Sequence, residues 1–254
     1  MTPELAAFSD WTLALLPRLF LYPGGLSVLA ALLLLRPFSG GLHSISPRAI
    51  LSDLPTSNLL SIALSWAAIS LAPFPDASPL PFPVDRFALA ILPALSLLLD
   101  ITYKADHPRS VFPSAAITLA LLVPALAPNA LLPPPASLTI STALSMLAVA
   151  SGLLAISPAT ALASQTRWLA WLCLGLSPLW PLIPLDSTIW ASIITLLALI
   201  ILSILSNLLA RAGGLRKRSP RLYPPGALTP DFLLTLIAWL LALAALFLAI
   251  PFGL

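Results

Sequence analysis

Residues Ala210 to Asp231, ARAGGLRKRSPRLYPPGALTPD, hold Arg211, Arg216, Lys217, Arg218 and Arg221, five of the chain's twelve Lys and Arg residues, with no acid before the last position. Long apolar runs flank this stretch, Ile189–Leu209 before it and Phe232–Ile250 after it. Lys and Arg remain on the cytoplasmic side during membrane insertion, so a basic hairpin between two such runs reads as a cytoplasmic loop. With that loop placed inside, every other loop acquires a side.

Composition points to the same class. Of 254 residues, 59% are hydrophobic and 8% charged, against roughly 25% charged in a soluble domain. So few charges cannot cover a water-facing surface, and lipid has to solvate much of the chain. The net charge of +3 sits in loops and describes sidedness. No interleaving of basic and aromatic residues suggests a nucleic-acid partner. A single cysteine, Cys173, rules out a disulfide within the chain and a cysteine-based cluster. Glu4 and Asp10 stand where a cleavable signal peptide carries basic residues. The 28 prolines gather in stretches such as Pro73–Pro75, Pro79–Pro83 and Pro133–Pro135, which favour stiff, short connections.

A helical span needs about 20 mainly apolar residues. Eight candidates follow: Trp11–Leu35, Ser57–Ala72, Arg86–Ile101, Val111–Ala127, Ser137–Ile156, Arg167–Leu185, Thr188–Leu209 and Asp231–Ile250. Alternating backwards from the basic hairpin, the inside loops hold Arg36 and Arg48, Lys104 and Arg109, Arg167, and the 211–221 cluster, ten of the twelve basic residues. Such asymmetry supports an eight-span arrangement over a seven-span one. The expected fold is one all-α polytopic membrane domain over residues 1–254, both termini outside, in the inner (plasma) membrane. Glu4, Asp10, Asp76, Asp85 and Asp186 fall outside with the termini. The seven tryptophans lie mostly near predicted span ends, as in an interfacial belt.

Several polar features interrupt the apolar pattern. Arg18 lies inside the first span; it is either functional or snorkels to the outer interface near Trp11. Tyr22-Pro23-Gly24-Gly25 breaks that span as a hinge or cofactor contact, or as a kink or a helix start. Asp100, Lys104, Asp106, His107 and Arg109 form the most polar cluster, either a metal or proton site or a solvated inside loop after a helix end. Asn207, with Ser203 and Ser206, and Cys173 read as packing groups. Pro178, Pro181 and Pro184 either fray the sixth span or open backbone groups to a ligand. There is no phosphate loop, no paired-His motif, no Gly-x-Ser-x-Gly and no acid in the middle of a span.

Ser46-Pro47-Arg48-Ala49-Ile50-Leu51 on the first inside loop, and the closing basic run with Pro220-Arg221-Leu222 before a last span from Asp231, resemble the subunit 1 or H-subunit family of respiratory complex I and its relatives in membrane-bound hydrogenases. That resemblance implies eight spans and peripheral and membrane subunits as partners, with a quinone bound nearby. The family's glutamate-rich inside loop has no counterpart, because 157–167 contains no acid. The expected function is therefore a non-catalytic membrane subunit that anchors or scaffolds a complex I-like, electron-transferring assembly, with no catalytic residue, metal or directly bound cofactor of its own. Arg48, Lys104, Arg109, Arg167, Arg211, Arg216, Lys217, Arg218 and Arg221 are its expected contacts to an acidic partner or anionic lipid. A small-solute or lipid transporter, or a membrane enzyme using residues 100–109, is the alternative.

Overall fold

The computed structural model describes residues 3–21, 24–25, 56–72, 86–103, 111–126, 136–156, 162–177, 230–249 and the isolated positions 197, 201, 204 and 205. Within them the chain is all helical, with no strand. The helices are α1 (Pro3–Phe20), α2 (Thr56–Leu71), α3 (Arg86–Tyr103), α4 (Val111–Leu126), α5 (Ala136–Ala155), α6 (Leu162–Leu176) and α7 (Pro230–Ala249). Helices α2, α3, α4, α5 and α7 agree with the expected segments to within two residues at each end.

Two segments differ. The first candidate span is not continuous: α1 starts at Pro3 and ends at Phe20, and Leu21 closes it by donating its N–H to Pro17 O at 2.9 Å. Tyr22 and Pro23 lie outside the described residues, and Gly24 and Gly25 are helical again. The sixth segment begins earlier, at Leu162, so Arg167 stands inside α6 instead of preceding it. Of the seventh candidate span, Leu197, Ile201, Ile204 and Leu205 are helical and exposed, and the rest lies outside the described residues. One described helix, Asp231–Ala249, is long and apolar enough by itself to cross a membrane. Helix α2, at 16 residues, extends only about 24 Å.

Helix α6 is the centre. Every position from Gln165 to Gly175 is buried, and α6 touches α2, α3, α4 and α5. Trp168 and Trp171 are therefore core residues, not part of an interfacial belt. Cys173 fills the same core, as expected of a small apolar group.

Helix directions follow from paired contacts. Ser145 of α5 donates to Ala120 O of α4, while Gly152, seven residues later, abuts Ile117 and Pro113, so α4 and α5 are antiparallel. Trp168 of α6 donates to Leu153 O at 3.1 Å and Gly175 abuts Val149, so α5 and α6 are antiparallel as well. Trp239 of α7 reaches Phe112 O at 3.2 Å, and the later Ala245 and Ala249 cluster with Val123, so α7 runs with α4. Helices α4, α6 and α7 are thus parallel to one another. Ser177, at the end of α6, and Pro230, at the start of α7, therefore stand toward opposite ends of the bundle.

Besides this apolar core, the helices expose large apolar faces and bury small residues and serines. Helix α7 turns Ala238, Ala242, Ala245 and Ala249 inward, and exposes Phe232, Leu236, Leu240, Leu243 and Phe247. Buried positions elsewhere include Ser61, Ser65, Ser96, Ser114, Ser141 and Ser145, while Leu13, Leu98, Phe112 and Leu147 face outward. Small inward residues let backbones approach: a Cβ on Gly175 would stand 2.7 Å from Val149 Cγ1. Serine hydroxyls bridge helices at these close approaches, as Ser141 does to Ala245 O at 2.8 Å.

Candidate functional site

Two buried guanidinium groups organise the interior. The first is Arg167, in the second turn of the central helix α6 and 6% exposed. Its Nη1 donates to Ser96 O of α3 at 3.3 Å and lies 3.5 Å from Ser96 Oγ. Ser96 is also the meeting point for α2. Ser65 Oγ donates to Ser96 Oγ at 3.1 Å, and Ser61 Oγ shares a 2.6 Å hydrogen bond with it. Three hydroxyls and a guanidinium from α2, α3 and α6 thus form one connected polar cluster.

Trp171, one turn along α6, completes the group. The Arg167 Cζ lies 5.8 Å from its ring centroid, within cation–π range. Trp171 is 1% exposed and its Nε1 has no hydrogen-bond partner. A buried N–H left without an acceptor costs about 1–3 kcal/mol. Gln165 and Thr166, also buried, continue the polar stretch toward the α6 N-terminus.

The second guanidinium is Arg18, 4% exposed in the last turn of α1. Its Nε donates to Ser70 O at 2.8 Å and its Nη2 to Ala72 O at 2.6 Å. These carbonyls close α2, and a helix C-terminus leaves its last carbonyls without intrahelical donors. Cationic donors suit that end because the helix dipole is negative there. Arg18 therefore does not snorkel outward; it points into the protein and caps a neighbouring helix. Trp66 of α2 returns the contact, donating Nε1 to Leu19 O at 2.9 Å. Gly24 sits against Ser70 Oγ and Arg18 O so closely that a Cβ has no room.

Of the expected surface contacts, Arg167 is turned into the bundle and does not stand on a loop. A peripheral subunit cannot reach it without passing the helices around α6. Arg48, Lys104, Arg109, Arg211, Arg216, Lys217, Arg218 and Arg221 lie outside the described residues, as do His43, Asp106, His107 and Asn207. Among the described residues no three His, Cys, Asp or Glu side chains come together as a metal site. The Ser61–Ser65–Ser96 cluster escapes sequence reading because single serines in Leu- and Ala-rich helices carry no motif. Their spacing offers one signal: Ser61 and Ser65 are a helical turn apart on one face.

Comparison with protein-family models, with curated proteins and with solved structures finds no match to the chain.

Proposed function

We propose that the chain is a multi-pass integral membrane protein of about eight spans, in the inner (plasma) membrane, serving as a non-catalytic scaffold subunit of a larger energy-transducing complex. The observation that carries the membrane reading is the polarity of α7, where alanines are buried and Leu, Ile and Phe are exposed. In water, exposing so contiguous an apolar face invites aggregation; in lipid it is the solvated surface, and small residues with hydroxyls make the helix contacts.

Helix directions support the sidedness. The connection 104–110 leads into the N-terminal end of α4, and 178–229 into that of α7, and these two ends face the same way. That shared direction supports a reading in which Lys104, Arg109 and the 211–221 cluster form one basic face. That face suits an acidic peripheral subunit, with anionic lipid around it. The complex I-like identity rests on the resemblance at residues 46–51 and 220–222 alone, and a quinone would belong to the assembly, not to this chain.

Extraction in mild detergent, followed by mass spectrometry of what co-purifies, tests the scaffold. A stoichiometric set of redox subunits, lost when Arg211, Arg216, Lys217, Arg218 and Arg221 are all changed to Gln, is the expected result. A monomer or homodimer with unchanged composition after that substitution overturns it.

The buried cluster of Arg167 with Ser61, Ser65 and Ser96 favours a second reading, a small-solute or lipid transporter, because polar groups inside a bundle mark solute paths. Substrate-dependent uptake by proteoliposomes containing the chain alone separates the two.

A further inference from the structure

We propose that α1 does not cross the membrane but lies flat in the membrane–water interface at the outer end of the bundle, its apolar side among the headgroups and upper acyl chains of a phospholipid layer. This rests on the membrane reading and deepens it by taking α1 out of the crossings. Attachment is the first argument. Among the described residues α1 packs mainly on α2, through its last turn. There Arg18 and Leu19 meet Trp66, Ser70 and Ala72, the C-terminal end of α2. A helix crossing beside α2 would touch it along several turns, whereas α1 is held at one boundary of the bundle by one end. Ser61 and Ser65, early in α2, meet Ser96 next to Arg167, early in α6. The end that α1 caps therefore lies away from the end at which α6 begins. In the eight-span reading that is the outer side.

The surface of α1 is the second argument. Glu4, Asp10 and Arg18 place three charges in its 18 residues. Asp10 stands near the middle and is exposed, so a crossing would set a carboxylate against acyl chains, a costly position. Yet Phe8, Leu13 and Phe20 are 70%, 68% and 66% exposed, and water alone does not suit them either. By helical spacing Asp10 shares one stripe with Ala6, Ala14 and Pro17, while Phe8, Leu16 and Phe20 group on the other side. Ser9 and Thr12 fall on the apolar side and donate their hydroxyls back to Ala6 O and Phe8 O, so neither needs water. A helix with one polar stripe and a wide apolar face lies in the plane of an interface, and Trp11 favours that depth. Charge narrows the partner: Asp10 is exposed while Arg18 is buried, so a zwitterionic headgroup layer fits better than an anionic one.

The test places a nitroxide on single cysteines of the full chain, in a Cys173→Ala background, reconstituted in phosphatidylcholine vesicles. Phe8→Cys, Asp10→Cys, Leu16→Cys and Phe20→Cys sample α1, and Phe232→Cys, Leu240→Cys and Phe247→Cys sample the outward face of α7. All seven positions are exposed, so the labels leave the packing intact. Depth is read from accessibility to oxygen against a water-soluble nickel chelate. The expected α1 result is one shallow depth, about 5–10 Å, at positions 8, 16 and 20, with position 10 on the water side. Labels on α7 pass from shallow to deep to shallow. Positions 8 and 20 stand about 18 Å apart along the helix axis, so a depth difference of that order means that α1 crosses, and it overturns the proposal. Full chelate access at all four α1 positions also overturns it, leaving α1 to water or to a protein partner. Absence of the depth profile in α7 sinks the membrane reading itself, so the two failures are told apart.

Discussion

Arg18 and Trp66 each hold the carboxyl-terminal end of the other's helix: Arg18 donates to Ser70 O and Ala72 O at the end of α2, and Trp66 donates to Leu19 O at the end of α1. In an apolar surrounding no water can serve those carbonyls, so each unserved one costs several kcal/mol. Reciprocal capping solves that problem for two helices at once. It also joins a helix that otherwise touches the described bundle lightly, since α1 meets α2 mainly through this last turn.

Replacing Arg18 with Met keeps the apolar stem and leaves the α2 carbonyls without those donors. The expected loss is about 3–6 kcal/mol, two hydrogen bonds from a charged group. Arg18→Lys restores one point contact and recovers part of it. Thermal unfolding in detergent, followed by Cys173 reactivity, measures both. Equal stability of Arg18→Met and the unmodified chain would show that the caps contribute nothing.

Gly152 marks a close approach of α5 to α4. A Cβ there runs into Ile117 Cγ1, a side chain that is itself fully buried. Gly152→Ala should destabilise by about 1–3 kcal/mol through overpacking. Adding Ile117→Val should return part of that loss, and a double-mutant cycle reads the coupling. Additive effects would mean the two helices separate more easily than the packing implies.

The two faces of α7 should respond oppositely to size. Ala242→Leu forces a large side chain between α7 and its neighbours and costs about 1–3 kcal/mol, because Ala242 is fully buried. Leu240→Ala, on the exposed face, should change stability by less than about 0.5 kcal/mol in detergent. The reverse order would mean that the exposed face is covered in the assembled protein.

Sidedness is open to chemical labelling. In a Cys173→Ala background, single cysteines at Arg109 and Lys217 should react with a membrane-impermeant maleimide from one side of sealed vesicles, and a cysteine at Asp76 from the other. Labelling of Arg109→Cys and Lys217→Cys from opposite sides would break the parallel relation of α4 and α7 as membrane spans.

Helix positions were open to reading because each apolar run is bounded by its own punctuation. Pro83, Pro108 and Pro135 precede α3, α4 and α5 by a few residues, and Asp231 opens α7 in the first turn. Such signals are local, and an isolated stretch carries them. The first segment misled because Trp11–Leu35 is apolar across a break. Hydropathy cannot tell one long helix from a helix that ends at Phe20 before Pro23. Arg167 misled for a related reason: a charge at the edge of an apolar run looks like a loop residue when its partners lie seventy residues away.

The sequence by itself determined that the chain is helical in its described segments, where five of its helices lie, and that its basic residues are unevenly placed along it, because composition and proline punctuation act within a few residues. Tertiary structure alone decided that α6 is the central helix, that Arg167 faces Ser96 while Arg18 caps α2, and that Trp168 and Trp171 belong to the core. Leu, Ala and Ser recur on every helix with no distinguishing period, so which face meets which neighbour depends on how closely two backbones approach, and that is set by long-range contacts.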